Sequence, residues 1–424
     1  MKKRVIVLGG GTAGTMVVNK LRKKLNFDDW AITIVDKDNS HLYQPGLLFL
    51  PFGGYEREDL VKDRDHFFPA GVEYIRAEIE RIDPVKNRVQ LVGNETLHYD
   101  QLVIATGTTP RADQTVGMDD PRIWRKSVFD FYSLSGAIAL KEMLAKFQGG
   151  RFVVHISELP IKCPVAPIEF AFLADAYFRE HKMRDKVEIT FVTPLEGAFT
   201  KAVASRQLGS MLAERNIKLE TDFVIEHIDP ESKVMVSMDE REIAFDFLVT
   251  VPVNMGADFI GRSGLGNELN YVAVNAENFL SKKYPNIFAL GDASDIPASK
   301  AGSVAHFAVD LFAENFVEHI SGKPMTHNFD GHANCFIESG NRKGLLIDFN
   351  YQTEPLAGMF PLPIVGPFSL LKESHINHLG KLAFRWIYWN LLLKGRWIPI
   401  PALMSKRGKR EEKEEKGVGA NASY

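Results

Sequence analysis

The sequence is poor in the features that usually classify a chain at a glance. Two cysteines in 424 residues cannot form a disulfide framework. A formal net charge of −3 removes any global reason to expect nucleic acid as a partner. No stretch reads as a membrane span, because the longest uncharged segment, 355–371, is interrupted by Pro355, Pro361, Pro363 and Pro367. Histidine and cysteine spacings suggest no metal, and His41, His306 and His332 default to ordinary hydrogen-bonded histidines. The opening MKKRVIVLGGGTAG runs straight into a strand and a glycine loop. No signal peptide is therefore expected, and the body of the protein is expected in the cytoplasm.

What is present is a globular composition, 45% hydrophobic and 25% charged, in a chain long enough for two or three domains. Residues 4–8 read as a strand, 12–25 as a helix and 31–35 as a strand, a β-α-β start that predicts a parallel sheet. The same pulse returns at 152–156, 168–178 and 187–192. Two acid-led strands, 99-YDQLVIATG-107 and 245-FDFLVTVPV-253, close the two halves and point to an internal duplication. The fold class predicted is α/β, with tandem Rossmann-like dinucleotide-binding domains. The expected boundaries are 1–112 with 254–330 for the first domain, 113–253 for the second, 331–404 for a C-terminal region and 405–424 for a disordered charged tail.

Gly9, Gly11 and Gly14 form G-x-G-x-x-G between the first strand and helix, with Thr12 and Ala13 inside the motif. Such glycines let a backbone approach a pyrophosphate at the helix N-terminus. Asp36, followed by Lys37, ends the next strand, where a carboxylate accepts from ribose hydroxyls, and Ala77 is a further candidate contact. A glycine-rich turn without a ligand is the alternative reading. Ala105-Thr106-Gly107 and Gly291-Asp292 end two later strands. They resemble the ATG and GD motifs of two-dinucleotide-binding-domain flavoproteins, glutathione-reductase-like in architecture, and that resemblance implies FAD.

The second unit breaks the pattern. In 151-RFVVHISELPIKCPVAPIEF-170 the turn that would carry glycines carries Glu158, Pro160, Lys162 and Cys163 instead. Glu158 adds negative charge and Pro160 removes a donor. The strand at 187–192 runs into Thr193-Pro194, with no acid for a ribose. Poor binding of a pyridine nucleotide is expected here. Cys163, near a helix N-terminus and beside Lys162, is expected to have a stabilised thiolate; a buried, inert cysteine is the alternative. Cys335 lies in the loop-like 331-GHANCFIESGNRKG-344, so any partnership between the two must come from the fold.

At this point the sequence resembles the sulfide:quinone oxidoreductases along nearly its whole length. Cys163 with Glu169 matches the family's C-x5-E element, and Cys335-Phe336 its C-terminal Cys-Phe. Pro45 in 41-HLYQPGLLFLPFG-53 matches a loop over the isoalloxazine, and Lys300 and Gly302 match a Lys-x-Gly after the GD motif. The resemblance implies a redox-active Cys163/Cys335 pair oxidising sulfide to polysulfide or sulfane sulfur, FAD as carrier, and a membrane quinone as acceptor near Phe336. It implies Glu169 as proton acceptor, although a carboxylate that caps the helix or pairs with Lys162 fits as well. His332, close to Cys335 in the chain, is by that nearness a candidate aid to its thiolate, with an ordinary hydrogen-bonded histidine as the default. Many relatives carry a third cysteine before the second domain, and 122-RIWRKSVFDFYS-133 has none.

Residues 381–396, KLAFRWIYWNLLLKGR, have an uncharged core at 386–393 with basic margins. This predicts a peripheral, monotopic membrane contact at headgroup level; a docking or dimer helix is the alternative, and homo-oligomerisation is left open. Two other functions share the architecture. One is a type II NADH:quinone oxidoreductase, against which the missing second glycine loop counts. The other is the flavoprotein subunit of a sulfide dehydrogenase serving a cytochrome.

Overall fold

The computed structural model describes residues 2–411. The strand β1 (Lys3–Leu8) has its last four residues buried, and the helix α1 (Thr12–Lys24) follows after the glycine turn. β1 is central in a parallel sheet ordered Ile287–Ala289, Gln101–Ile104, β1, Trp30–Asp36, Val72–Arg76. A strand buried on both faces needs a continuous apolar run, and VIVL supplies it.

The turn into α1 is made by glycine for steric reasons. A Cβ on Gly14 would stand 1.8 Å from the Gly9 carbonyl oxygen, and Gly9 itself has φ +96° with the Ala105 carbonyl 2.6 Å from where its Cβ would be. Helix and strand thus meet backbone to backbone.

The second unit repeats this plan. The strand β2 (Gly150–Ile156) leads to the helix α2 (Ala166–Glu180), and β2 is central in a parallel sheet ordered Val128–Phe129, Phe247–Val251, β2, Val187–Val192, Ile217–Glu220. Even the acid-led strands correspond. Asp100 accepts the Arg4 N–H at 2.7 Å at the start of β1, and Asp246 accepts the Arg151 N–H at 2.8 Å at the start of β2. Phe152, Phe170 and Phe178 fasten α2 to its sheet and are fully buried, each stabilising by about 2–3 kcal/mol.

A third sheet, mainly antiparallel, follows. Its hairpin pairs β3 (Ala333–Gly340) with β4 (Lys343–Phe349), placing Cys335 opposite Ile347 and Asn334 opposite Asp348. The helix α3 (His375–Ile387), capped by the Ser374 hydroxyl, lies over this hairpin and continues as a π-helical turn, Tyr388–Leu392.

Two expectations change here. Tyr388, Trp389, Leu392 and Leu393 are buried, so half of the uncharged core at 386–393 faces protein rather than headgroups, on the side where Tyr388 and Leu393 bond to α1. The exposed apolar side chains are Ile376, Leu379 and Trp386 on α3, Leu362, Ile364 and Val365 in the preceding loop, and Trp397 beyond. The expected disordered tail at 405–424 is ordered in its first part. Ala357 and Arg410 exchange backbone hydrogen bonds at 2.9 Å, and the buried Lys409 ammonium pairs with Asp348. A buried carboxylate requires a cation, which holds the segment down. The rest of that expectation, 412–424, lies outside the described residues.

Candidate active site

A cleft of about 1150 Å³, counting its open mouth, lies where the first sheet, α2 and α3 meet. Gly11, Thr12, Ala13, Pro45, Ala105, Thr106, Gly107, Gly291, Asp292, Lys300 and Gly302 line it, together with Cys163 and Glu169. Gly9 and Gly14 lie beneath its floor as packing contacts. Asp36 and Ala77 stand beside one another off the cleft, the Ala77 N–H donating to the Asp36 carbonyl at 2.9 Å, and Lys37 follows Asp36. Cys335 and Phe336 lie behind the wall on β3.

The floor suits a dinucleotide on observable grounds. A Cβ at Gly11, Gly107 or Gly302 would meet nothing within 4 Å, which leaves backbone open to a ligand. No side chain caps the N-terminus of α1 at Gly11, so its first N–H groups are available to an anion. The Asp36 carboxylate accepts from the Gly10 N–H at 2.7 Å and pairs with Arg64, a residue the sequence reading missed. Lys300 donates to the carbonyls of Asp292 and Ser294, both at 2.9 Å. Burial pushes its ammonium down to about 8, against the opposing pull of Asp292.

The loop carrying Cys163 is bound to this floor rather than to its own sheet. The Cys163 N–H donates to the Lys300 carbonyl at 2.7 Å, and the Tyr132 hydroxyl donates to the Cys163 carbonyl at 3.2 Å. Cys163 adopts φ +72°, the left-handed region. It is half-buried at the wall, and Cys335, buried, belongs to the strand packed against α2. Both are free thiols, and the charge of Cys163 is felt at Cys335.

A buried charge network joins them. The Glu169 carboxylate on α2 accepts the Glu338 N–H of β3 at 2.5 Å and pairs with Lys381 of α3. The Lys381 ammonium also donates to the Phe336 carbonyl at 3.1 Å. Glu338 carries the network outward to His378 at 2.7 Å. Three elements distant in sequence thus converge on one carboxylate.

The expected stabilised thiolate at Cys163 is overturned. Burial, then the Glu169 carboxylate, pushes the Cys163 thiol up to about 12, and the opposing pull of Lys381 and the Ala166 N–H is too weak to reverse it. Burial, then Cys163 and Glu169, raises Cys335 likewise. Lys162 does not contribute, since its ammonium turns to the Tyr132 carbonyl at 3.4 Å. Nor does Glu169 pair with Lys162: its cation is Lys381. His332 does not serve Cys335 either, because its ring is committed to Asp348 at 2.8 Å and stacked on Phe307 at 4.2 Å.

Lys381, Phe384 and Tyr388 also line the cleft, and the sequence reading gave them no site role. Their i, i+3, i+7 spacing was the available signal. No cluster of metal ligands occurs among the described residues.

Residues 3–141 match the family model for pyridine nucleotide-disulphide oxidoreductases. The mitochondrial sulfide:quinone oxidoreductase of Dictyostelium discoideum is 28% identical over 400 residues, covering 93% of this chain and 86% of that protein. The sulfide-quinone reductase of Aquifex aeolicus is 24% identical over 404 residues, covering 90% and 88%. The solved structure of the sulfide:quinone oxidoreductase from Aquifex aeolicus superposes with a TM-score of 0.76 at 21% identity, covering 93% of this chain and 92% of that one. Over nine-tenths of its length this chain is similar in sequence to sulfide:quinone oxidoreductases, and its fold matches that of the solved one.

Proposed function

We propose that this protein oxidises sulfide at Cys163 and Cys335 and passes the electrons through FAD to a membrane quinone. The observation that carries the reading is the convergence of Cys163, the Cys335 strand, Glu169 and Lys381 on one wall of the dinucleotide cleft. FAD supplies a two-electron carrier between the thiols and the quinone. In the oxidised state the pair is bridged, hydrosulfide attacks one sulfur, the S–S bond breaks, one cysteine keeps the added sulfur as a persulfide and the other leaves as a thiolate. Lys381 stabilises that thiolate, since it is the cation that pulls both thiols down. Glu169, raised by burial but held in check by Lys381, takes the proton the hydrosulfide gives up. The balance is hydrosulfide, quinone and one proton going to sulfane sulfur and quinol.

The second unit does not suit NADH as donor. Its turn has committed the N–H groups a pyrophosphate would need: that of Lys162 to the Asn254 side chain, that of Cys163 to Lys300 and that of Ala166 to Cys163. On the quinone side, Phe336 meets Phe368 edge to face at 5.2 Å beneath α3. The exposed Leu379, Trp386, Ile364 and Val365 form the face through which a lipid-dissolved quinone would enter. No helix among the described residues is long and apolar enough to cross a membrane.

The test is anaerobic addition of sulfide while the flavin absorbance is followed. Bleaching is expected in the parent, little or none in Cys163→Ser or Cys335→Ser, and none with NADH in place of sulfide. Full bleaching by sulfide in both variants would sink the reading.

A further inference from the structure

The C-terminal helix touches the dinucleotide site at a point the proposed chemistry does not use. Tyr388, at the start of the π-helical turn, is fully buried, and its hydroxyl lies 2.7 Å from the Thr12 hydroxyl and 2.7 Å from His41 Nε2. Thr12 is the first residue of α1 and, like Tyr388, lines the cleft. Two more bonds run from the same flank of α1 to the chain just after Tyr388. Asn19 Nδ2 donates to the Leu393 carbonyl at 3.0 Å, and Lys23 Nζ to the Gly395 carbonyl at 2.7 Å. Residues 12, 19 and 23 lie along one side of a helix, so α1 is fastened along its length by 388–395. The opposite face of the same C-terminal segment carries the exposed Leu379 and Trp386.

We propose that Tyr388 is a positioning residue for the dinucleotide: it fixes the direction of the Thr12 hydroxyl and latches the C-terminal helix to the phosphate-binding end of α1. His41 is buried between Phe67, Tyr388 and Trp389, with Arg64 and Asp36 the charged groups around it. Burial, then the Arg64 charge, pushes its ring down to about 3, so it is neutral and carries one N–H. With that proton on Nε2, His41 donates to the Tyr388 oxygen, Tyr388 donates to the Thr12 oxygen, and the Thr12 proton is left to point into the cleft. A hydroxyl proton aimed past a helix N-terminus meets a phosphate oxygen with a charge-assisted hydrogen bond. Reverse the relay, and Thr12 presents lone pairs to an anion. Two residues apart on a helix, Trp386 and Tyr388 point to opposite sides, so Tyr388 turns inward while Trp386 faces out. Coupling is reciprocal: a bound dinucleotide tightens 388–395 as 388–395 tightens the dinucleotide.

This rests on FAD being the cofactor, and the experiment separates the two claims. FAD release from the loaded protein is followed by the rise of free-flavin fluorescence, and hydrogen exchange of 388–395 is compared with and without FAD. Tyr388→Phe keeps the ring and removes the relay. It is expected to release FAD about tenfold faster, while Trp397→Ala, exposed just beyond 388–395, releases it at the parental rate. Loading with FAD is expected to slow exchange at 388–395 in the parent and to do so much less in Tyr388→Phe. Parental release and parental exchange in a fully loaded Tyr388→Phe protein would overturn the latch alone; a parent that takes up no FAD would overturn the cofactor reading and the latch with it.

Discussion

The two strand–turn–helix units of this chain share strand order, sheet direction and even the carboxylate that anchors the central strand, yet their turns do opposite things. In the first, Gly9, Gly11 and Gly14 bring backbone to backbone and leave the start of α1 uncapped toward the cleft. In the second, the N–H groups of Lys162, Cys163 and Ala166 are already bonded to Asn254, Lys300 and Cys163, and the space is given to a thiol. The scaffold is therefore indifferent to the chemistry: a few residues between strand and helix decide whether the unit receives a phosphate or presents sulfur. The second turn is also the less independent of the two, because its thiol is placed by Lys300 of the first unit and tuned by Lys381 of the third sheet's helix.

The comparison can be broken most severely at Gly14. Gly14→Ala drives a methyl group into the Gly9 carbonyl 1.8 Å away, with no flexible side chain to yield; complete loss of bound FAD is expected, read from the flavin absorbance of the purified protein. A smaller break is expected at Lys381. Lys381→Met strands the buried Glu169 carboxylate without its cation, and a loss of about 3–5 kcal/mol in urea unfolding is expected. Lys381→Arg should recover most of it. The smallest effect concerns pH. The folded protein holds the Cys163 proton to about 12, against an ordinary value of 9.0. Above pH 9 the unfolded chain releases that proton while the folded one keeps it, so stability falls as pH rises toward 12, by at most about 1.4 kcal/mol per pH unit for one thiol. Urea midpoints between pH 8 and 10 should fall more steeply for the parent than for Cys163→Ser.

The first unit was readable in sequence because its signal is local: strand, glycines, helix and Asp36 follow one another, and sterics fix what the glycines do. The tandem plan was readable for the same reason, in the repeat of the pulse and in the acid before each closing strand. The electrostatics of the thiols were not. Lys162 is the neighbour of Cys163 in the chain but turns away, whereas Lys381, which acts on both thiols, arrives from a helix more than two hundred residues further on. Residues 381–393 carried two meanings in one string. Apolar and aromatic residues fit a lipid surface and a protein groove equally well, and only the tertiary fold assigns Trp386 to the outside and Tyr388 and Trp389 to the inside. The basic run at 405–411 misled for a related reason, since nothing nearby announces a buried Asp348 waiting for Lys409.

The left-handed backbone at Cys163 carries one more consequence. A side chain in that region costs roughly 1–2 kcal/mol that glycine would not incur, so replacing Cys163 by glycine relaxes the turn while removing its sulfur. On the mechanism proposed above, the change that eases this turn also removes the sulfur that sulfide would attack, so a screen for thermal robustness alone would drift toward a protein whose flavin sulfide no longer reduces.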